Sequence, residues 1–154
     1  MTIYKLSDLP KKEQLLAIPF LLNSFIKNQI SNSEIKINDN HNKANLIHKL
    51  CRYLINNKQV YLAIENKIIV AYLIADINII YFIYTKLPYR KLNIASDLIN
   101  FHLQENKSIN KLFYLLESKP FPFFAKKYSE KNKIKIEFSF EEFIKTFCEV
   151  NKNV

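Results

Sequence analysis

The sequence contains no glycine and no tryptophan among its 154 residues, and it has only two cysteines. Without glycine, every backbone position that needs a positive φ must be filled by a residue that pays for that conformation, and asparagine is the usual substitute. We therefore expect Asn66, Asn78 and Asn93, which stand in turn contexts, to take the place of glycine. Cys51 and Cys148 have no metal-ligand spacing with the three histidines, so we expect two buried free thiols and no metal site.

Arginine is also scarce, because lysine supplies all but two of the 23 basic residues. The formal net charge of +9 favours anionic partners in general without selecting one. The lysines are scattered along the chain, and the sequence contains no recognised nucleic-acid-binding motif. Nucleic acid is therefore a partner that the sequence allows but does not favour.

Long uncharged apolar runs are absent as well. No stretch approaches the ~18 residues of a membrane span, and the N-terminus mixes charges with its apolar residues, unlike a signal peptide. We therefore expect a cytoplasmic protein that does not enter a membrane. A length of 154 residues suits one domain, and a hydrophobic content of 49% can form a substantial core, so residues 1–154 are expected to be a single domain. A homodimer is left open.

The hydrophobic pattern changes period along the chain. Helical spacing predicts helices at residues 11–27, opened by Pro10, and at 44–57, with a polar loop at 28–43. Nearly continuous apolar runs predict strands that are buried on both faces. The predicted strands are residues 2–6, 59–65, 68–76, 79–85, 111–117 and 133–138. The remaining predicted helices are 93–105, 121–131 and 139–147, the last with Ser139 as its N-cap. This order predicts an α/β fold in which a β-meander and two crossovers form a mixed sheet with helices on both faces.

The segment that joins the strand at 79–85 to the next helix carries a recognisable motif. It reads Arg90-Lys91-Leu92-Asn93-Ile94-Ala95. This run fits the pattern Arg/Gln-x-x-Gly-x-Gly/Ala of the GNAT (Gcn5-related N-acetyltransferase) superfamily, with Asn93 in place of the first glycine. Over residues 59–131 the chain resembles that superfamily. It is most similar to acetyltransferase-like proteins encoded by bacteriophages, through Asn23-Ser24-Phe25 and the run from Tyr84 to Arg90.

The resemblance implies a fold and a co-substrate. The implied fold has a mostly antiparallel central sheet in which the strands at 79–85 and 111–117 diverge as a wedge. The implied co-substrate is acetyl-CoA, whose pyrophosphate suits the unpaired N–H groups and partial positive charge of a helix N-terminus. The acetyl group would pass to an amine of a protein or a small molecule. The residues implied to bind acetyl-CoA are Ile83, Tyr84, Thr85, Arg90, Lys91, Leu92, Asn93, Ile94 and Ala95.

The resemblance also implies catalytic groups. A backbone N–H around Ile83 and Tyr84 would polarise the thioester carbonyl. The family's proton donor is a tyrosine in the pattern Asn-x-x-Ala-x-x-Leu-Tyr-Glu-Lys, which aligns with residues 122–131. This alignment puts Ser129 in the place of the tyrosine and makes Tyr128, one position early, the candidate proton donor.

For a general base, Glu117 at the end of its predicted strand is the best candidate, and Asp76 is the second. Tyr84 and Tyr81 are candidates for relaying protons through water.

Two other functions remain open at this point. The departures from the family pattern at Asn93 and Ser129 favour a catalytically weakened GNAT fold that binds a host protein. The net charge of +9 leaves a basic nucleic-acid-binding protein as the other alternative.

Overall fold

A computed structural model describes residues 1–32, 40–115 and 120–152 of the chain. Its strands are β1 (Thr2–Lys5), β2 (Gln59–Glu65), β3 (Ile68–Asp76), β4 (Ile79–Thr85), β5 (Lys111–Tyr114) and β6 (Lys135–Phe138). Its helices are α1 (Lys11–Asn32), α2 (Asn40–Asn57), α3 (Ile94–Glu105), α4 (Phe121–Asn132) and α5 (Phe140–Lys152). Short 3-10 turns follow β1 and β4, at Leu6–Asp8 and Leu87–Tyr89.

The strands form one mixed sheet in the order β1-β2-β3-β4-β5-β6. The first four strands are antiparallel to their neighbours, whereas β5 is parallel to both β4 and β6. The two parallel connections run through α3 and α4. The predicted α/β fold, a meander followed by crossovers, is therefore confirmed.

Both faces of the sheet are covered, as the continuous apolar strands predict. Successive side chains of a strand point to opposite faces, so β2 and β3 contribute to two cores at once. On one face Tyr61 and Leu73 pack with α3 and α4. On the other face Leu62 and Tyr72 pack with α1, α2 and α5.

Positive φ angles occur at Asn66, Lys67, Lys91, Asn93 and Lys133 of the described residues. The expectations for Asn66 and Asn93 are confirmed, since their φ angles are 49° and 61°.

The expectation for Asn78 is wrong, because the β3–β4 turn does not use that conformation. The Asp76 carboxylate instead accepts the Ile77 N–H at 2.9 Å, and the Asn78 carbonyl accepts the N–H of Phe113 from β5 at 2.8 Å.

The predicted loop at residues 28–43 is wrong at both ends, because α1 continues to Asn32 and α2 begins at Asn40. Within α1 the Asn28 side chain donates to the Ser24 carbonyl at 3.1 Å. This polar residue therefore hydrogen-bonds to the helix backbone, and the helix continues past it. The last helix also runs further than predicted, to Lys152. Its predicted N-cap is confirmed, since Ser139 Oγ accepts the Glu142 N–H at 3.3 Å.

Three strands differ from their predicted bounds. β1 ends at Lys5, because Leu6 begins a 3-10 turn. β5 ends at Tyr114, so Leu115 lies outside the strand, whereas residues 116 and 117 of the predicted strand lie outside the described residues. β6 begins at Lys135, because Lys133 takes a φ of 57° as the C-cap of α4.

The cysteines differ from each other in burial. Cys51 is buried as predicted, and burial raises the pKa of its thiol to about 12. Cys148 is exposed, so the expectation of burial is wrong for this residue, which lies on the outer side of α5. Over the described parts of the chain, no helix is long and apolar enough to cross a membrane.

Candidate active site

A gap opens between β4 and β5. These two strands pair at only two positions, Ile79 with Phe113 and Ile80 with Tyr114. β4 then continues to Thr85 along β3, whereas β5 ends at Tyr114. Residues 81–85 of β4 therefore present an edge that β5 does not cover, and the predicted wedge is confirmed.

A bulge marks the start of this gap. Ala75 of β3 pairs with Ile80 and Ile74 pairs with Phe82, so Tyr81 is an extra residue on β4. A bulge bends its strand and increases the local twist. Because the last β4–β5 pair is at Ile80, the two strands separate where β4 is bent.

The pairing of β4 with β3 decides which backbone groups face the gap. The Lys86 N–H donates to the Val70 carbonyl at 2.9 Å. In an antiparallel pair, residues alternate between those bonded to the neighbouring strand and those facing away. With the observed register, this alternation turns the N–H and C=O groups of Ile83 and Thr85 away from β3, toward the gap.

The chain turns sharply between Thr85 and α3. After the 3-10 turn, Arg90 folds back so that its Nε donates to the Thr85 carbonyl at 3.1 Å. Lys91 and Asn93 both take positive φ angles, 68° and 61°. This side-chain contact and these two left-handed residues bring the end of β4 and the start of α3 together at one corner.

The N-terminus of α3 lies at this corner without a side-chain cap. Asn93 is the N-cap residue, but its side chain makes no capping hydrogen bond. Its carbonyl accepts the Asp97 N–H at 3.0 Å, which is the ordinary helical bond. The amides of Ile94 and Ala95 belong to the first helical turn, where N–H groups have no intrahelical partner. These groups suit an anion.

Positive charge accompanies these amides. Arg90 and Lys91 are exposed, and Leu92 beside them is exposed too. Lys86 is half-buried, with its Nζ 4.7 Å from the centre of the Phe20 ring. The nearest acidic residue along the chain is Asp97 in the first turn of α3. The corner therefore carries more positive than negative charge.

The two candidate tyrosines of β4 have different surroundings. The Tyr84 ring packs against Tyr72 and Phe20, with centres 5.6 Å and 6.1 Å away, on the face covered by α1. Its side chain is thus committed to that aromatic cluster. Tyr81 lies at the deep end of the gap, and burial raises the pKa of its hydroxyl.

Tyr128 lies between α3 and α4 and is only 3% exposed. Its hydroxyl donates to Asn100 Oδ1 at 2.6 Å, and burial raises the pKa of Tyr128 to about 12. Ser129, which aligns with the family's tyrosine, donates its hydroxyl proton to the Ala125 carbonyl at 2.7 Å and accepts the Ile136 N–H at 3.1 Å. Both hydroxyl groups are therefore engaged within the fold.

Of the two candidate bases, the structure describes only Asp76. Glu117 lies outside the described residues. Asp76 lies at the β3–β4 turn, at the other end of β4 from Thr85, and forms an ion pair of 3.1 Å with Lys58. In the part of the chain that the structure describes, no group of three or more His, Cys, Asp or Glu side chains is placed to hold a metal ion.

The sequence analysis missed a small cavity beside Tyr81 and Leu115, the residues that follow the last β4–β5 pair. Its other lining residues come from α2 and α5: Leu50, Leu54, Phe143, Thr146 and Phe147. The only sequence signal for this wall is the four-residue spacing of Phe143 and Phe147 on one helix face.

Comparison with known proteins supports the fold. No protein-family model matches the sequence, and no curated protein matches it. Among solved structures, a GCN5-related N-acetyltransferase from Rhodopseudomonas palustris, also described as an aminotransferase of class II, superposes with a TM-score of 0.57. The two share 10% identity over 82% of this chain and 79% of the other. An acetyltransferase of the GNAT family from Staphylococcus aureus Mu50 gives a TM-score of 0.49 and 19% identity over 85% and 82%. At such identities the likeness concerns architecture, and this chain has the fold of the GNAT acetyltransferase from Rhodopseudomonas palustris.

Proposed function

We propose that this protein is an N-acetyltransferase that moves an acetyl group from acetyl-CoA to an amine of a protein or small molecule. One observation carries the proposal. The edge of β4 at residues 81–85, which no described strand pairs with on the β5 side, leads directly into the uncapped N-terminus of α3. One continuous segment therefore offers a strand edge and then an anion site. Acetyl-CoA has the matching order of groups, an extended arm with amides followed by a pyrophosphate.

The strand edge would bind the arm of CoA. Amides of an extended ligand can pair with an open sheet edge as an added strand does. Ile83 and Thr85 face the gap with their backbone groups, and Thr85 shares its carbonyl with Arg90. At the corner, the first-turn amides and the side chains of Arg90 and Lys91 would bind the pyrophosphate.

The reaction needs one bond made and one broken. The acceptor nitrogen attacks the thioester carbonyl carbon, the C–N bond forms, and the C–S bond breaks. The acceptor nitrogen loses a proton, and the CoA sulfur gains one. Negative charge develops on the carbonyl oxygen, where a fixed backbone N–H is most effective. We assign that role to the Ile83 N–H, because the β3 ladder fixes its direction toward the gap.

Proton transfer by side chains contributes less to the proposed mechanism than binding and positioning do. Glu117 stays the candidate base. Tyr128 stays the candidate acid, but its hydroxyl already donates to Asn100, so we expect it to add little to the rate. A thiol has a pKa near 8.5, so a thiolate leaves readily at neutral pH without a dedicated acid. A general acid is typically worth 10²–10⁴-fold. We therefore attribute most of the rate to binding and positioning, with solvent able to supply the proton.

The test is stabilisation by acetyl-CoA. We expect acetyl-CoA to raise the Tm, and Arg90→Glu to remove the shift by placing a carboxylate beside the pyrophosphate. Arg52→Glu is the matched control, because Arg52 is the only other arginine and is exposed on α2. It changes the net charge equally and should retain the shift. An unshifted wild-type Tm, or equal losses in the two variants, would contradict the proposal. Mass spectrometry of acetylated amines then identifies the acceptor.

A binding module with the same fold is the second candidate, because the hydroxyls of Tyr128 and Ser129 are both bonded within the fold. It predicts a host protein that co-purifies and no transferred acetyl group. A cytoplasmic location, a phage origin and a homodimer stay predictions.

A further inference from the structure

The small cavity lined by Tyr81 and Leu115 lies at the end of the β4–β5 gap where the two strands separate. Tyr81 and Leu115 directly follow the last paired residues of β4 and β5, and both side chains line the cavity. An acetyl-CoA with its pyrophosphate at the α3 corner would have its arm directed along β4 from Thr85 toward Tyr81. The acyl end of that arm would then be the part that approaches this cavity.

The lining of the cavity is apolar. Only apolar atoms face it, although Tyr81 and Thr146 are among the lining residues. The Thr146 hydroxyl is already used, since it donates to the Glu142 carbonyl at 2.9 Å. An amine or ammonium group would lose its hydration here without gaining a partner, which is costly. The cavity therefore suits a hydrocarbon group and not the reacting nitrogen of an acceptor.

The cavity is also small, with room for about one water-sized group. A methyl group is of that size. The wall opposite the strands consists of Leu50 and Leu54 on α2 and Phe143 and Phe147 on α5. This wall would contact each further methylene of a longer acyl chain.

We propose that this cavity is the acyl subsite, and that Leu50 and Phe147 restrict the donor to acetyl-CoA. The inference rests on the proposed function, since it assumes that CoA lies in the β4–β5 gap. It adds an upper limit on the length of the donor's acyl chain and the residues that set this limit.

The test compares binding of free CoA with acetyl-, butyryl- and hexanoyl-CoA by calorimetry, before any transfer is measured. In the wild type, we expect butyryl-CoA to bind roughly tenfold or more weakly than acetyl-CoA, because an unaccommodated methylene costs at least that much. Phe147→Ala should recover most of this loss. Phe147 is half-buried, so its removal should leave the fold intact. Phe140→Ala is the matched control, since Phe140 lies on the same helix, is 64% exposed and does not line the cavity.

A filling variant gives the opposite result. Leu50→Phe should weaken acetyl-CoA by roughly tenfold while free CoA binds as before. An unchanged chain-length profile in Phe147→Ala, with CoA still bound, overturns this inference and leaves the proposed function standing. If the wild type binds no CoA at all, both this inference and the proposed function are wrong. If Phe147→Ala improves the KM for apolar amines but not the binding of butyryl-CoA, the cavity belongs to the acceptor and the inference is wrong.

Discussion

Replacing Asn93 with glycine should strengthen CoA binding with little effect on stability. Asn93 has φ 61° and ψ 5° at the start of α3. The left-handed conformation costs an L-residue roughly 1–2 kcal/mol, and asparagine tolerates it better than most. Glycine removes that cost but loses about 0.5–1 kcal/mol through its freedom in the unfolded chain. We therefore expect the free energy of unfolding to change by less than about 1 kcal/mol.

The binding effect has a different origin. The Asn93 side chain makes no hydrogen bond to the first turn, so its removal deletes no cap. It is exposed beside the amides that would bind the pyrophosphate. Without it, phosphate oxygens can approach those amides more closely. Hydrogen bonds to charged groups are worth about 1.5–3 kcal/mol. Gaining one such bond lowers the Kd roughly tenfold or more.

Asn66→Gly is the matched control, because Asn66 also has a positive φ, 49°, but lies in the β2–β3 hairpin. Both variants are measured by urea denaturation and by calorimetric titration with CoA. Similar stability changes and a CoA affinity that rises only in Asn93→Gly are the expected outcome. Equal CoA affinity in the two variants would refute the reasoning, since the Asn93 side chain would then not border the bound phosphates.

Two further predictions concern buried polar groups. Tyr128→Phe leaves Asn100 Oδ1 without its hydroxyl partner, so the free energy of unfolding should fall by about 1–3 kcal/mol in urea titrations. The kcat should fall less than tenfold, because the phenol proton is already donated to Asn100. A loss of about 10²–10⁴ in kcat would instead make Tyr128 the general acid. His102 is fully buried with Nε2 3.1 Å from the Ile77 carbonyl, and burial lowers its pKa from 6.5. Since the unfolded chain then takes up the proton first, the free energy of unfolding should fall as the pH drops below 6.5, and His102→Gln should flatten that slope. An unchanged slope in His102→Gln would contradict this prediction.

The fold could be predicted because its central strands can be recognised from the local sequence, without knowledge of the strands they pair with. The runs at 59–65, 68–76 and 79–85 are apolar on both faces, and they became β2, β3 and β4 with those same bounds. The Asn66-Lys67 pair between two of them has the positive φ angles that a two-residue hairpin requires. Where local chemistry and long-range packing agree in this way, the sequence suffices.

The gap could be predicted from the family pattern, but its position could not be read from the local sequence. The apolar run after Lys111 continues beyond Tyr114, and Leu115 is 3% exposed although it lies outside the strand. It is buried in the core with α1, α2 and α5 and not by strand pairing. A buried residue in a strand and one beneath a helix have the same hydrophobic signature, so only the tertiary structure shows where β5 leaves β4.

The positions of the left-handed residues bear on the candidate site independently of the sequence motif. In a chain without glycine, each positive φ costs free energy, and five described residues take one. Asn66 and Lys67 close a hairpin, and Lys133 ends α4. The other two, Lys91 and Asn93, stand two positions apart in the turn from β4 to α3. Unfavourable conformations persist where the surrounding structure fixes them, and they concentrate at ligand sites. The Arg90–Thr85 contact is one such constraint. Two costly residues in one connection therefore indicate that the shape of this turn is itself required, as an anion-binding corner would need.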